Sequence, residues 1–157
     1  MSTISTEEIA AVKAAHAALA ERIAKLEASA VEPAFFAYQG KRIPLAAGES
    51  YVGTITTPGQ YGSYHLVLLP GQVDGKNLAD AMTWAESICG ELPNRVESAL
   101  LFATLKDQFD AAWYWTREEH ASDSGCAWIQ TFNDGYQSYS HEATKFRARA
   151  VRRLEIQ

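Results

Sequence analysis

"WYWTREEHASDSGCAWIQTFNDGYQSY", Trp113 to Tyr139, holds three of the chain's four tryptophans and three of its seven tyrosines among Ser, Asp, Asn and Gly. Rings at that density serve either a core of short strands or a surface that grips a ligand. The runs 113–116 and 126–132 are aromatic, apolar or β-branched and bounded by Ser, Gly and Asp, which is the pattern of strands. Alternation sets Tyr114 and Thr116 opposite Trp115, and Trp128, Gln130 and Phe132 opposite Ile129 and Thr131. Most of these rings are read as structural, with Trp84 and Trp128 holding the fold. Asn133, Asp134 and Gly135 make a tight turn, and Tyr136, Ser138 and Tyr139 follow it. Tyrosine supplies contact area at low entropic cost and small polar residues supply hydrogen bonds, so this mixture suits an adaptable binding surface. An ordinary hairpin has the same composition. Asn133, Asp134, Tyr136, Ser138 and Tyr139 are the candidate ligand-binding residues.

Upstream, Asn77 caps a helix with Leu78, Met82, Ala85 and Cys89 at helical spacing, and Gly90 stops it. Asn94 and Glu97 have the spacing of a capping box, and Val96, Leu100 and Phe109 mark the buried face of the helix that follows. Residues 42–57 and 63–71 read as strands, with His65 as a core or sheet-face histidine, and 145–155 as the closing strand. The order of helix, strands, two helices and strands predicts an α+β fold in which antiparallel strands from both halves share a sheet.

Ser5 and Glu8 form another capping-box pattern, opening a helix expected over Thr6–Ala28. Its seam is a heptad, with Ile9, His16 and Ile23 at one core position and Val12, Leu19 and Leu26 at the other. Such a narrow stripe suits a partner helix, and a homo-oligomer is expected through these six residues, with His16 as a polar spacer or register device. Folding back of the helix on its own domain uses the same seam. Pro33 and Gly40 mark a break, which divides the chain into a helix over 1–30, a hinge over 31–40 and a body over 41–157.

A chain of 157 residues, 47% apolar and 21% charged, is expected to form one globular domain plus an appendage. A net charge of −5 disfavours nucleic acid as a partner, although Arg147, Arg149, Arg152 and Arg153 make a local basic strip. The N-terminal stretch is acidic where a secretory leader begins basic, and no run approaches a membrane span, so the chain is expected to be cytoplasmic when synthesised. Cys89 and Cys126 are read as idle thiols. Glu118, Glu119 and His120 bring acid and base together in sequence, but consecutive residues do not converge on one site, so this is read as a solvated turn. There is no phosphate-cradling loop, nucleophile elbow or metal-ligand motif, so no catalytic residue, cofactor or metal is expected.

The succession of Trp84, Leu92-Pro93-Asn94, Glu97, Leu100, Tyr114-Trp115-Thr116, Ala127-Trp128 with Gly135, and Arg149 to Arg152 resembles a known family. It is the domain found at the C-terminus of bacterial collagen-like adhesins and in many phage-encoded proteins of unknown function. The resemblance spans Val73 to Leu154 and implies a C-type-lectin-like fold, with irregular connections presenting a binding surface. Two departures stand out. The family pairs a cysteine near Cys89 with one in its closing strand, where this chain has Ala150; its Trp-Arg before Leu-Pro is here Gly90-Glu91. Lectins of this fold often use calcium, but the oxygen-rich motifs are missing, "FND" at Phe132 to Asp134 being a fragment.

Two functions follow as expectations. One is a non-enzymatic binding module, phage or prophage encoded and virion-associated, that recognises a protein or glycan. The other is an intracellular effector or inhibitor that masks a host protein. An enzyme of the formylglycine-generating type, which shares the general fold, lacks an evident reactive cysteine pair here.

Overall fold

The computed structural model describes residues 5–29, 34–56 and 62–156. The chain divides into two units, Met1–Ala34 and Phe35–Gln157. The first is the helix α1, Thr6–Ser29, and both halves of its capping box are made: the Glu8 amide donates to Ser5 Oγ (3.1 Å), and the Ser5 amide to Glu8 Oε2 (2.8 Å). None of the α1 residues is buried.

The second unit begins with a hairpin of β1 (Phe35–Tyr38) and β2 (Lys41–Pro44), turned by Gln39 and Gly40, both at positive φ. That corrects the second half of the segment read as a hinge, while residues 31–33 lie outside the described residues. Two turn residues at φ > 0 match the twist of paired strands, so the "QG" that looked like a break is a tight connection. The remaining elements are β3 (Ser50–Thr56), β4 (Ser63–Leu68), β5 (Val73–Lys76), α2 (Leu78–Ser87), α3 (Arg95–Leu105), β6 (Trp113–Glu119), β7 (Cys126–Thr131), β8 (Gln137–His141), β9 (Phe146–Ala148) and β10 (Val151–Glu155).

The fold is α+β. One sheet has the order β10-β4-β3 and the other β5-β9-β6-β7-β8, so strands from both halves of the body are shared in each. The pairs are antiparallel except β6 with β9, which meet in parallel at Tyr114 and Arg147. The run expected as one closing strand is split at Arg149 and Ala150. There the Arg149 guanidinium donates to the carbonyls of Gln108 (2.6 Å) and Leu69 (3.1 Å), and the Ala150 carbonyl accepts from the Leu69 amide.

The five-stranded sheet is covered on both sides, and this overrides the in-out alternation expected for β6. Trp115, Ala127 and Ile129 pack with Ala81 and Ala85 of α2, whereas Tyr114 and Phe132 pack with Leu101 of α3 and with β3 and β4. Tyr114, Trp115 and Thr116 are consequently all buried. The deep tryptophan is Trp115, whose indole donates to the Lys76 carbonyl at 2.8 Å; Trp84 and Trp128 are only partly buried.

The two helix caps form as the sequence predicts, with the Asn77 side chain accepting from the Asp80 amide and Asn94 and Glu97 completing a capping box. Leu78, Met82 and Ala85 on α2 and Leu100 on α3 face the core as expected, whereas Cys89 and Val96 do not. Cys89 lies beyond α2, exposed and at φ +59, in the left-handed position that glycine usually takes. Gly90, the next residue, is needed for space instead: a Cβ there would come within 2.4 Å of Leu69 Cδ1. On α3 the inward residues are Glu97, Ser98 and Leu101, while Val96 is exposed and Phe109 lies past the helix, stacked on Phe132.

Candidate functional site

The structure distributes the five residues expected to bind ligand over three surroundings. In the β7–β8 ladder Trp128 opposes Tyr139 and Ile129 opposes Ser138, so Ser138 and Tyr139 belong to opposite faces of the sheet. Tyr136 is exposed and meets the edge of Trp113 at 6.3 Å. Asn133 and Asp134 form the turn, held by the Tyr136 amide on Asp134 Oδ1 (3.1 Å) and by Lys106, whose ammonium donates to the Asn133 carbonyl (2.9 Å). Asn133 and Lys106 line an open cavity of 570 Å³ with Phe109 and Phe132. Of the five residues, Tyr139 is the one that joins a larger constellation.

That constellation is a cluster of rings. Trp128 and Tyr139 lie side by side at 5.8 Å, and the His120 ring covers both, 4.0 Å from Tyr139 and 5.1 Å from Trp128. The loop between β6 and β7 delivers His120. Its amide donates to the Cys126 carbonyl (2.8 Å), and its Nδ1 lies within hydrogen-bond distance of the amides of Ser122 (3.3 Å) and Asp123 (3.0 Å). The Asp123 carboxylate, close to the Tyr139 hydroxyl, pushes that phenol's pKa up.

Arg95, the first residue of α3, completes the cluster. Its guanidinium stands 3.5 Å from the centre of the Trp128 ring, a cation–π contact worth about 0.5–1 kcal/mol at an exposed position. Gln137 holds it on two sides, accepting from Arg95 Nε (3.0 Å) and donating to the Arg95 carbonyl (2.8 Å). Gln137 also donates to Gln130, whose amide donates to the Ser98 carbonyl, so the cluster is braced against α3.

The imidazole meets Tyr139 through ring contact, and Glu118 accepts a hydrogen bond from the Arg95 amide at 3.1 Å. Among the described residues no three of His, Cys, Asp and Glu cluster as a metal site. Cys89 and Cys126 are free thiols.

The arginine strip is engaged inside the fold. Arg147 pairs with Asp74 (3.3 Å) and Asp110 (2.5 Å), Arg152 with Glu49 (2.7 Å), and Arg153 with Glu97 and Glu91. Among the described residues no helix is long and apolar enough to cross a membrane.

The sequence reading places His120 in a solvated turn and Trp128 among the residues that hold the fold, and gives Asp123 and Arg95 no role. Part of the signal was local: the turn at Asn133–Gly135 fixes the hairpin register, and that register pairs Trp128 with Tyr139. Nothing local ties Arg95 to Trp128, because they lie on a helix and a strand far apart in the chain.

The body is thus an α+β unit that carries a partly exposed aromatic cluster with one cation and one carboxylate at its edges. No family model matches the chain, and no curated protein matches it.

Proposed function

We propose that the chain is a non-enzymatic binding module, phage or prophage encoded, that self-associates through α1 and recognises a protein or glycan through the Trp128–Tyr139–His120 face. The observation that carries this reading is the ring cluster itself. Three partly exposed rings touch one another, with Arg95 on Trp128 and Asp123 beside Tyr139, and a platform already assembled loses little entropy on binding. Tyrosine and tryptophan flanked by arginine are the residues that anchor interfaces.

The body resembles the C-type-lectin-like domain of bacterial collagen-like adhesins and phage proteins, and one contact supports that resemblance. A Cβ at Gly90 would lie 3.1 Å from the Ala150 Cβ, so the two backbones approach each other where that family pairs its cysteines. The proposed site keeps Tyr139 and replaces Asn133, Asp134, Tyr136 and Ser138 with Trp128, His120 and Arg95.

Glycan-array and cell-surface binding of the wild type, Trp128→Ala and Tyr139→Ala tests the reading. Each variant is expected to melt near the wild-type temperature and to lose roughly 2 kcal/mol or more of binding energy. Variants that fold and bind as the wild type does would move the face elsewhere. Binding confined to a host cytosolic protein would assign the module to an intracellular inhibitor.

A further inference from the structure

The exposed seam of α1 carries enough information to name its occupant. Ile9, Val12, Leu19, Ile23 and Leu26 are all between 45% and 69% exposed. With Ile9, His16 and Ile23 at the a positions and Val12, Leu19 and Leu26 at d, the flanking g positions are Glu8, Ala15 and Arg22, and the e positions are Lys13, Ala20 and Glu27. β-Branched residues at a with leucine at d favour two strands, and one polar residue at an a position fixes register.

The flanking charges choose the direction. In a parallel pair, each g residue faces the e residue five positions further on in the other helix. Glu8 then meets Lys13 and Arg22 meets Glu27, unlike charges at both places, and twofold symmetry repeats them. In the antiparallel pair that overlaps the whole seam, e faces e and g faces g. Lys13 then meets Ala20, Glu27 meets Thr6, Arg22 meets Ala15 and Glu8 meets Ser29, so no opposite charges come together.

The helix's own bonds leave these charges available. Among the described residues its internal ion pair is Lys25 with Glu21 (3.6 Å), both off the seam, and the Ser5 cap uses only Oε2 of Glu8. We infer that α1 pairs with α1 of a second copy, parallel and in register, as a two-stranded coiled coil. The inference rests on the self-association proposed above. Because the body follows the helix in the chain, a parallel pair presents two bodies from the same end, and a ligand with repeated epitopes is then bound with avidity.

The test uses the full chain with Cys89→Ser and Cys126→Ser, to which Val12→Cys or Ile23→Cys is added. Sedimentation is expected to give twice the mass of one chain, and Val12→Cys alone is expected to convert to a disulfide-linked dimer in a glutathione buffer. Lys13→Glu with Arg22→Glu is expected to raise the dissociation constant at least tenfold, and adding Glu8→Lys with Glu27→Lys to restore it. A dimer in which Val12→Cys links only to Ile23→Cys overturns the parallel arrangement and leaves self-association standing. A trimer or larger species overturns two-strandedness alone. A monomer before and after deletion of residues 1–30 overturns both readings.

Discussion

The Arg153 guanidinium grips the Glu97 carboxylate with two hydrogen bonds, Nε to Oε1 at 2.6 Å and Nη2 to Oε2 at 2.7 Å, and Glu97 is wholly buried. The same carboxylate accepts from the Tyr64 hydroxyl (2.7 Å) and the Asn94 amide (2.8 Å), so one side chain caps α3 and ties it to β4 and β10. Removing Glu97 takes the two-pronged partner from the largely buried Arg153 guanidinium, which keeps the exposed Glu91 beside it. Glu97→Ala is expected to cost about 3–5 kcal/mol in urea denaturation. Glu97→Leu combined with Arg153→Met is expected to cost less than the two single changes added together, because both halves of the buried pair then go at once.

Tyr64 makes stability fall in alkali. Burial, and then the neighbouring Glu97 carboxylate, push its phenol up to about 12 from the ordinary 10. The folded state keeps a proton that the unfolded chain gives up, so stability present below pH 10 is lost as pH rises toward 12. Tyr64→Phe is expected to flatten that slope in melting curves between pH 9 and about 11.5. Tyr114, also raised by burial, leaves a residual slope.

His65 works in the opposite direction. It is 2% exposed, with its Nδ1 2.9 Å from Thr54 Oγ1 and the rings of Phe36, Tyr38 and Tyr51 around it; Lys41 and Glu155 line the adjoining cavity. Burial lowers its pKa below 6.5. The unfolded chain takes up the proton first, so stability present above pH 6.5 is lost on acidification. His65→Phe is expected to remove the decline between about pH 6.5 and 5. A second decline, beginning below pH 4.5, belongs to Glu49, whose carboxyl the Arg152 hydrogen bond holds low, and persists in the variant.

The end of α2 reverses the usual preference at two successive positions. Cys89→Gly relieves a left-handed backbone and is expected to stabilise the protein by about 1 kcal/mol or less. Gly90→Ala drives a methyl into Leu69 and is expected to cost about 1–3 kcal/mol. Thermal melts of the two variants should move in opposite directions. With both thiols free, reductant is expected to leave the wild-type melt unchanged.

The sequence by itself determined what depends on residues three or four apart: the caps at Ser5, Asn77 and Asn94, the heptad of α1, the turn at Asn133–Gly135, and through these the alternation of helices and strands. Each of those signals is a contact between near neighbours in the chain, and any fold that contains the element must satisfy it. Tertiary structure decided which faces are covered. Hydrophobic pattern favoured Val96 over Glu97 as a core residue, yet Glu97 goes inside because Arg153, 56 residues away, arrives to neutralise it. Trp128 looked like core and is left only partly buried because the neighbours of its ring are Arg95, at the start of α3, with Tyr139 and His120. Burial is settled by what the rest of the chain places opposite a residue, and no local pattern contains that partner.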